Sequence, residues 1–420
     1  MTIRKQLAIL ALAGMASAFS TQAANIEATK DWPQFGGPAR DNISRETGLL
    51  KEWPKQGPPL AWKIKGVGEG FSSISVSNGK LFTAGDEGSS SYLFALNEAD
   101  GSPLWKAKLG ATGGGGGYPG PRATPTVDGD RVYMIGQFGE LICCQIADGK
   151  EVWRTNLNKD LKGKMMSGWG NAESVLVEGD AVICSPGGSA GTLAALDKKS
   201  GKVMWRSTDF TDSSAYMSPV VATIEGARQA VVLTDKSVAG IAVADGKLLW
   251  RIDRKGQTAV IPTPIVKDNM VYVASGYGVG CDLFKVTAND GKFNVEKVYS
   301  NKVMVNHHGG VILLGDSLYG FSDSKGWTCQ DLLTGEAKWK DKDILGKGTI
   351  SYADGRFYLR GEKDGTIVLM EATPEAHAQK GRLAQPERSD KAAWAHLVIA
   401  NGKLYVRDED VLLCYDVKGQ

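Results

Sequence analysis

The segment Ala195-Leu196-Asp197-Lys198-Lys199-Ser200-Gly201-Lys202-Val203-Met204-Trp205 has the form A-x-D-x-x-S-G-x-x-x-W, and it returns along most of the chain. Related strings run from Ala95 through Asn97, Asp100 and Gly101 to Trp105, and from Cys329 through Asp331, Thr334 and Gly335 to Trp339. Shorter Gly-x-x-x-Trp echoes end at Trp153 and Trp250. Starting from Trp62, successive tryptophans lie 43, 48, 52 and 45 residues apart; the 89 residues from Trp250 to Trp339 fit two units, one lacking its Trp. A period of this length identifies a propeller or a solenoid array.

Within a unit the pattern is that of four short strands. In one of them, Thr126 to Gly129, Val132 to Ile135 and Leu141 to Ile146 are followed by a turn and the Trp strand, a β-meander rather than a βαβ unit. The Asp/Ser/Thr-Gly pair makes the turn, where glycine accepts a positive φ without steric cost, and the Trp is expected to fill the space between units. Turns near Gly79, Gly129, Gly179, Gly226, Asp268, Gly315, Gly355 and Gly402 count eight innermost strands. The eighth unit stops at Tyr415-Asp416-Val417 without an outer strand, whereas Pro59 to Ile64 is an outer strand with no unit before it. The expected fold is therefore all-β, an eight-bladed propeller of four-stranded antiparallel blades, the last blade closed by an N-terminal strand.

The domain reading is a leader over residues 1–23 and a single propeller over 24–420, of which 24–59 lead into the closing strand. Arg4 and Lys5, the apolar stretch Leu7 to Phe19 and Thr21-Gln22-Ala23 have the layout of a secretory signal peptide. The apolar run is shorter than the ~20 residues that span a bilayer, and no lipidation cysteine follows it. The expected location is thus periplasmic or secreted, with no transmembrane span after cleavage. Removing Arg4 and Lys5 takes the formal charge from +2 to 0, which argues against a nucleic-acid partner. Of six cysteines, Cys143 and Cys144 are adjacent. Cys143, however, holds the slot of Ala95, Ala195 and Gly240 in other units, so it reads as a small buried apolar residue rather than half of a vicinal disulfide.

Propeller ligands sit at one mouth of the channel, so the residues leading into each innermost strand form the candidate site. In order these are Ser72, Arg122, Glu173 with Asn171, Tyr216 with Met217, Pro262 with Thr263, His307 with His308, Lys347 with Thr349, and Trp394 with His396. Three of the four histidines of the chain fall on this ring, a convergence of the kind that marks sites. Tyr118, Trp169, Tyr216 and Trp394 supply aromatic faces, and Gly113 to Gly117 reads as a lid or mobile loop beside the ring.

These repeats resemble those of the pyrroloquinoline-quinone-type propeller superfamily. More narrowly, Trp32 to Pro38, Gly120 to Pro125, Asn306 to Gly310 and Leu413 to Asp416 are similar to exported bacterial propellers termed quinoprotein-like or polyvinyl-alcohol-dehydrogenase-like. The resemblance implies an oxidoreductase acting on an alcohol or sugar with pyrroloquinoline quinone and calcium. In that assignment Glu173 and Asn306 hold the metal, Arg122, Asn171 and Trp169 the quinone, and Tyr118, Tyr216, His307, Lys347 and Trp394 the substrate. His308 or His396 acts as the base, because no Asp lies on the ring. The superfamily also holds a non-catalytic branch, the propeller lipoprotein of the outer-membrane barrel-assembly machine. A cell-envelope protein-binding scaffold and a quinone-independent carbohydrate-active propeller therefore stay open as alternatives.

Overall fold

The computed structural model describes residues 30–419; the leader assigned to residues 1–23 lies outside them. Eight sheets follow one another around a central channel, each an antiparallel meander of four strands. Blade one runs from Ser75 to Ala111, blade two from Thr126 to Asn156, blade three from Leu176 to Arg206 and blade four from Val220 to Asp253. Blade five runs from Ile265 to Asn301, blade six from Val311 to Asp341, blade seven from Gly348 to Leu383 and blade eight from Val398 to Asp416. Leu60–Lys65 completes blade eight, pairing Trp62 with Cys414 and Lys63 with Leu413. The only helical element among the described residues is a 3₁₀ turn at Gly115–Gly117. None of the described helices is long and apolar enough to cross a membrane.

The repeated motif joins successive blades except at blade four, where Trp250 Nε1 donates to Gln229 Oε1 of its own blade at 2.5 Å. The indole nitrogens of Trp105, Trp153 and Trp205 donate to the carbonyls of Ile146, Lys198 and Val243 in the turn of the following blade, at 2.9, 3.0 and 2.9 Å. The rings lie flat on the turn glycine. A Cβ on Gly149 would stand 2.5 Å from Trp105, and one on Gly201 2.7 Å from Trp153. Glycine is thus required twice, for its positive φ (74° at Gly149, 71° at Gly201) and for the ring against it. Blade five, the unit without a Trp, uses Tyr299, whose hydroxyl donates to Leu332 O at 2.9 Å while its ring covers Gly335.

Blade seven fills its slot from elsewhere. Its outer strand carries Gly381, and Trp53 of the N-terminal segment occupies the space, with its Cβ 2.6 Å from where a Gly381 Cβ would stand. Trp53 lies 5.9 Å from Tyr358, as Trp153 lies 5.9 Å from Tyr133 in blade two. All six cysteines are buried free thiols. Burial pushes Cys143 and Cys144 up to about 12, and the two face opposite sides of their strand, as the alignment of the repeats implies.

The N-terminal segment does more than lead into the closing strand. Trp32 bridges to Val76 on the innermost strand of blade one, Pro33 O accepts from Val127 N of blade two, and Ile43–Ser44 pair in parallel with Tyr352 and Ala353 of blade seven. Between them, buried Arg40 donates to the carbonyls of Ser174 and Val175, at 2.7 and 3.0 Å, on the approach to blade three. The segment thereby fills the part of the channel beside blades one, two, three and seven.

Candidate functional site

Blade connections on one face surround a cavity of about 640 Å³ that continues into the channel. The connections preceding the innermost strands bring Tyr118, Arg122, Trp169, Tyr216, Pro262, Thr263, His307, His308, Lys347, Trp394 and His396 to its wall. Three residues not on the ring join them: Tyr277 and Glu362, which follow the second strands of blades five and seven, and Phe71. The second-to-third-strand connections open on the same face, and a Gly precedes each polar residue there (Gly276-Tyr277 and Gly361-Glu362), which is the signal that would have found them.

Glu362 is the hub. Its carboxylate accepts from Trp394 Nε1 at 2.8 Å and pairs with Lys347 Nζ at 2.9 Å, while His308 Nε2 lies 3.5 Å away. Burial alone would raise its pKa, but His308, Lys347 and Trp394 outweigh that and hold it well below the usual carboxylate range. Lys347 also donates to His307 Nδ1 at 3.2 Å, which leaves the proton of that ring on Nε2, donated to Tyr277 Oη at 2.8 Å. Burial and then the Lys347 charge depress His307 to about 4, so it is neutral at pH 7. Burial likewise depresses His396 to about 4; its Nε2 lies 3.3 Å from His308 O and its Nδ1 has no partner. Neither ring nitrogen of buried His308 has a hydrogen-bond partner. Nε2 faces the Glu362 carboxylate, and buried polar groups are almost always satisfied, so the partnerless Nδ1 on the cavity wall is placed for a ligand.

On the aromatic side of the mouth Trp394 packs against both Phe71 and Tyr118, at centroid distances of 4.6 and 4.8 Å, and those two rings meet edge-on at 6.5 Å. Arg122 donates to Trp169 O at 2.6 Å and to Tyr118 O at 2.5 Å, and forms no ion pair among the described residues. Trp169 and Tyr216 lie 6.1 Å apart, and Tyr216 hydrogen-bonds Ser167. Of the glycine run at 113–117, Gly115 packs on the backbone of Gly168, where a Cβ would stand 2.1 Å from the carbonyl oxygen, and lines a separate cleft rather than this cavity.

Residues 89–341 match the family model described as outer membrane protein assembly factor BamB. The chain belongs to this family. Over 227 residues it is 26% identical to BamB of Xanthomonas campestris pv. campestris, covering 53% of this chain and 49% of that protein. Over 255 residues it is 25% identical to BamB of Shewanella oneidensis, covering 57% and 60%. The chain thus spans about half to three fifths of the curated relatives it matches. Among solved structures, BamB from Moraxella catarrhalis superposes with a TM-score of 0.58 at 17% identity over 86% of this chain and 98% of that one. Quinohemoprotein alcohol dehydrogenase from Comamonas testosteroni superposes with a TM-score of 0.64 at 11% identity over 96% and 82%. At such identities the likeness is one of fold.

The residues assigned to calcium and quinone can be tested against the geometry. Glu173 is buried off the cavity, with one carboxylate oxygen accepting from Ser185 N at 2.6 Å and the other unpartnered near Arg40. Asn171 lines a separate cleft, where its amide meets Asn158 and Met165. Asn306 spends its amide on Gly310 and Phe321. These three do not converge. The carboxylates that do line the cavity, Asp41 and Glu362, are paired with Arg45 and Lys347. Among the described residues no group of three or more His, Cys, Asp or Glu is arranged to hold a metal. Calcium takes six to eight oxygens, and the residues present do not fit it; of the quinone set, Arg122 and Trp169 reach the cavity and Asn171 does not.

Proposed function

We propose that the chain is a cell-envelope propeller that binds a small hydroxyl-bearing molecule, an alcohol or a sugar, at the channel mouth, where His308 Nδ1 accepts a hydrogen bond from the hydroxyl. The Nδ1 atom of His308, on the cavity wall without a hydrogen-bond partner, carries this reading. Ionised Glu362, 3.5 Å from Nε2, holds the ring proton on that nitrogen and leaves Nδ1 as the acceptor, Lys347 and Trp394 fix Glu362, and the Phe71–Trp394–Tyr118 cluster offers an apolar face to the carbon skeleton. An oxidoreductase reading would add a quinone beside Arg122 and Trp169 to take up hydride, but the residues that would hold its calcium do not assemble. The envelope location rests on the leader expected at residues 1–23 and on the names of the relatives.

A second reading, a protein-binding scaffold, is favoured by one observation. Leu104, Val152 and Met204 occupy the same position before the Trp on the outer strands of blades one to three, and are 46%, 37% and 53% exposed. Saturation-transfer NMR with short alcohols and monosaccharides separates the two. Binding that is lost in His308→Ala and Glu362→Gln supports the site. No binding, together with capture of one envelope protein that Met204→Asp abolishes, supports the scaffold.

A further inference from the structure

The channel below the mouth is two-sided. Along blades one, two, three and seven the N-terminal segment hydrogen-bonds to the innermost strands or the residues leading into them. Among the described residues it makes no such bonds to the innermost strands of blades four, five and six. On that side the void is walled by Val220, Ala222, Ile265, Val311 and Leu313, half-buried side chains facing Phe35 and Ala39 of the segment. The innermost strand of blade four, Val220–Ile224, advances about 3.3 Å per residue, so Val220 to Ala222 adds about 7 Å of hydrocarbon wall below the approach from Tyr216, which carries Ser218.

At the upper end of this run stands a cation with no counter-ion. Lys347 is neutralised by Glu362, whereas Arg122 gives two of its five N–H donors to backbone carbonyls and meets no carboxylate. A half-buried guanidinium with donors to spare is complementary to a carboxylate. We propose that the ligand of this cavity is an aliphatic carboxylate, its head at Arg122 and its unbranched chain lying in the half-channel along blades four to six. The proposal rests only on the part of the reading above that places a small molecule in this cavity, and it replaces the alcohol or sugar by a carboxylate. The segment 32–44 shapes the site by closing the polar-edged half of the channel and leaving the apolar half open.

The test is a calorimetric titration of the purified mature chain with hexanoate, octanoate, decanoate and dodecanoate below their micellar concentrations, with dodecyltrimethylammonium as the cationic control. Burial of each added methylene, worth about 0.8 kcal/mol, tightens Kd about fourfold. The expected result is this slope, a preference for carboxylate over ammonium, and in Arg122→Gln loss of the preference with the slope kept. Ala222→Phe, which fills the channel, is expected to cut the slope short at the longer chains; should it not fold, the Arg122→Gln comparison stands alone. Affinity independent of chain length, or equal affinity for the cationic amphiphile, overturns the proposal. If carboxylates fail while an alcohol or sugar binds in a His308-dependent way, this ligand class is wrong and the small-molecule reading survives; if nothing binds, both fall.

Discussion

At the scale of single residues, burial keeps His307 neutral while partners keep Glu362 ionised against burial. Neutral His307, ionised Glu362 and protonated Lys347 form one hydrogen-bonded line, and Glu362→Gln breaks it by removing the counter-charge of Lys347. We expect that variant to weaken ligand binding at least tenfold by calorimetry, with little change in fold by circular dichroism. Glu173 titrates in the opposite sense. Burial raises its carboxyl to about 7, above its value in an unfolded chain. A folded pKa raised in this way means that the stabilising contribution is present below about pH 4.5 and is lost as pH rises through about 7. Glu173→Gln should therefore flatten the fall in stability between pH 5 and pH 8, by roughly 1–3 kcal/mol, read as the difference in urea midpoints at the two pH values.

At the scale of elements, the repeat was legible because its physics is local: a turn glycine, an indole on it, and a carbonyl for the indole N–H. Six Trp positions and eight inner turns follow from that spacing, and so does the closing strand. Trp53 was not legible, because it serves blade seven from more than 300 residues away, and no period connects it to Gly381. Trp53→Ala is expected to cost about 3–5 kcal/mol, as for other buried aromatic truncations, comparable with Trp153→Ala. Gly201→Ala, whose methyl would enter the Trp153 ring, is expected to cost about 1–3 kcal/mol. Both are read by chemical denaturation, and a Trp53→Ala effect below 1 kcal/mol would remove Trp53 from the blade-seven slot.

The candidate site was legible in part for the same reason. Aligning inner turns exposed one set of connections, with Arg122, His307, His308, Lys347, Trp394 and His396, and missed the second-to-third-strand set, where Glu362 and Tyr277 lie. Glu173, Asn171 and Asn306 have the right sequence positions, but their side chains turn to Ser185, Asn158 and Gly310. Position along a strand does not state which way a side chain faces once neighbouring backbone groups compete for it.

At the scale of the whole molecule, closure by Leu60–Lys65 and the filling of the channel by residues 32–44 leave one apolar-walled cavity whose mouth gathers three of four histidines. Two of these are buried neutral. Their folded pKa values lie below the ordinary imidazole value, so their contribution to stability is present above about pH 6.5 and lost as pH falls toward 4. Melting temperature should fall across that window, and less in His396→Phe.

The same histidines permit the most direct test. With four imidazoles in the chain, each ring proton can be assigned by substitution and followed by NMR against pH and added ligand. His377 stacks 4.7 Å from Trp339 on the outer edge and serves as the internal reference. The account predicts that His307 and His396 titrate near 4, and that ligand moves His307, His308 and His396 but leaves His377 unmoved. Titration of His307 and His396 near 6.5, with no cavity histidine responding to any alcohol, sugar or aliphatic carboxylate, would contradict it.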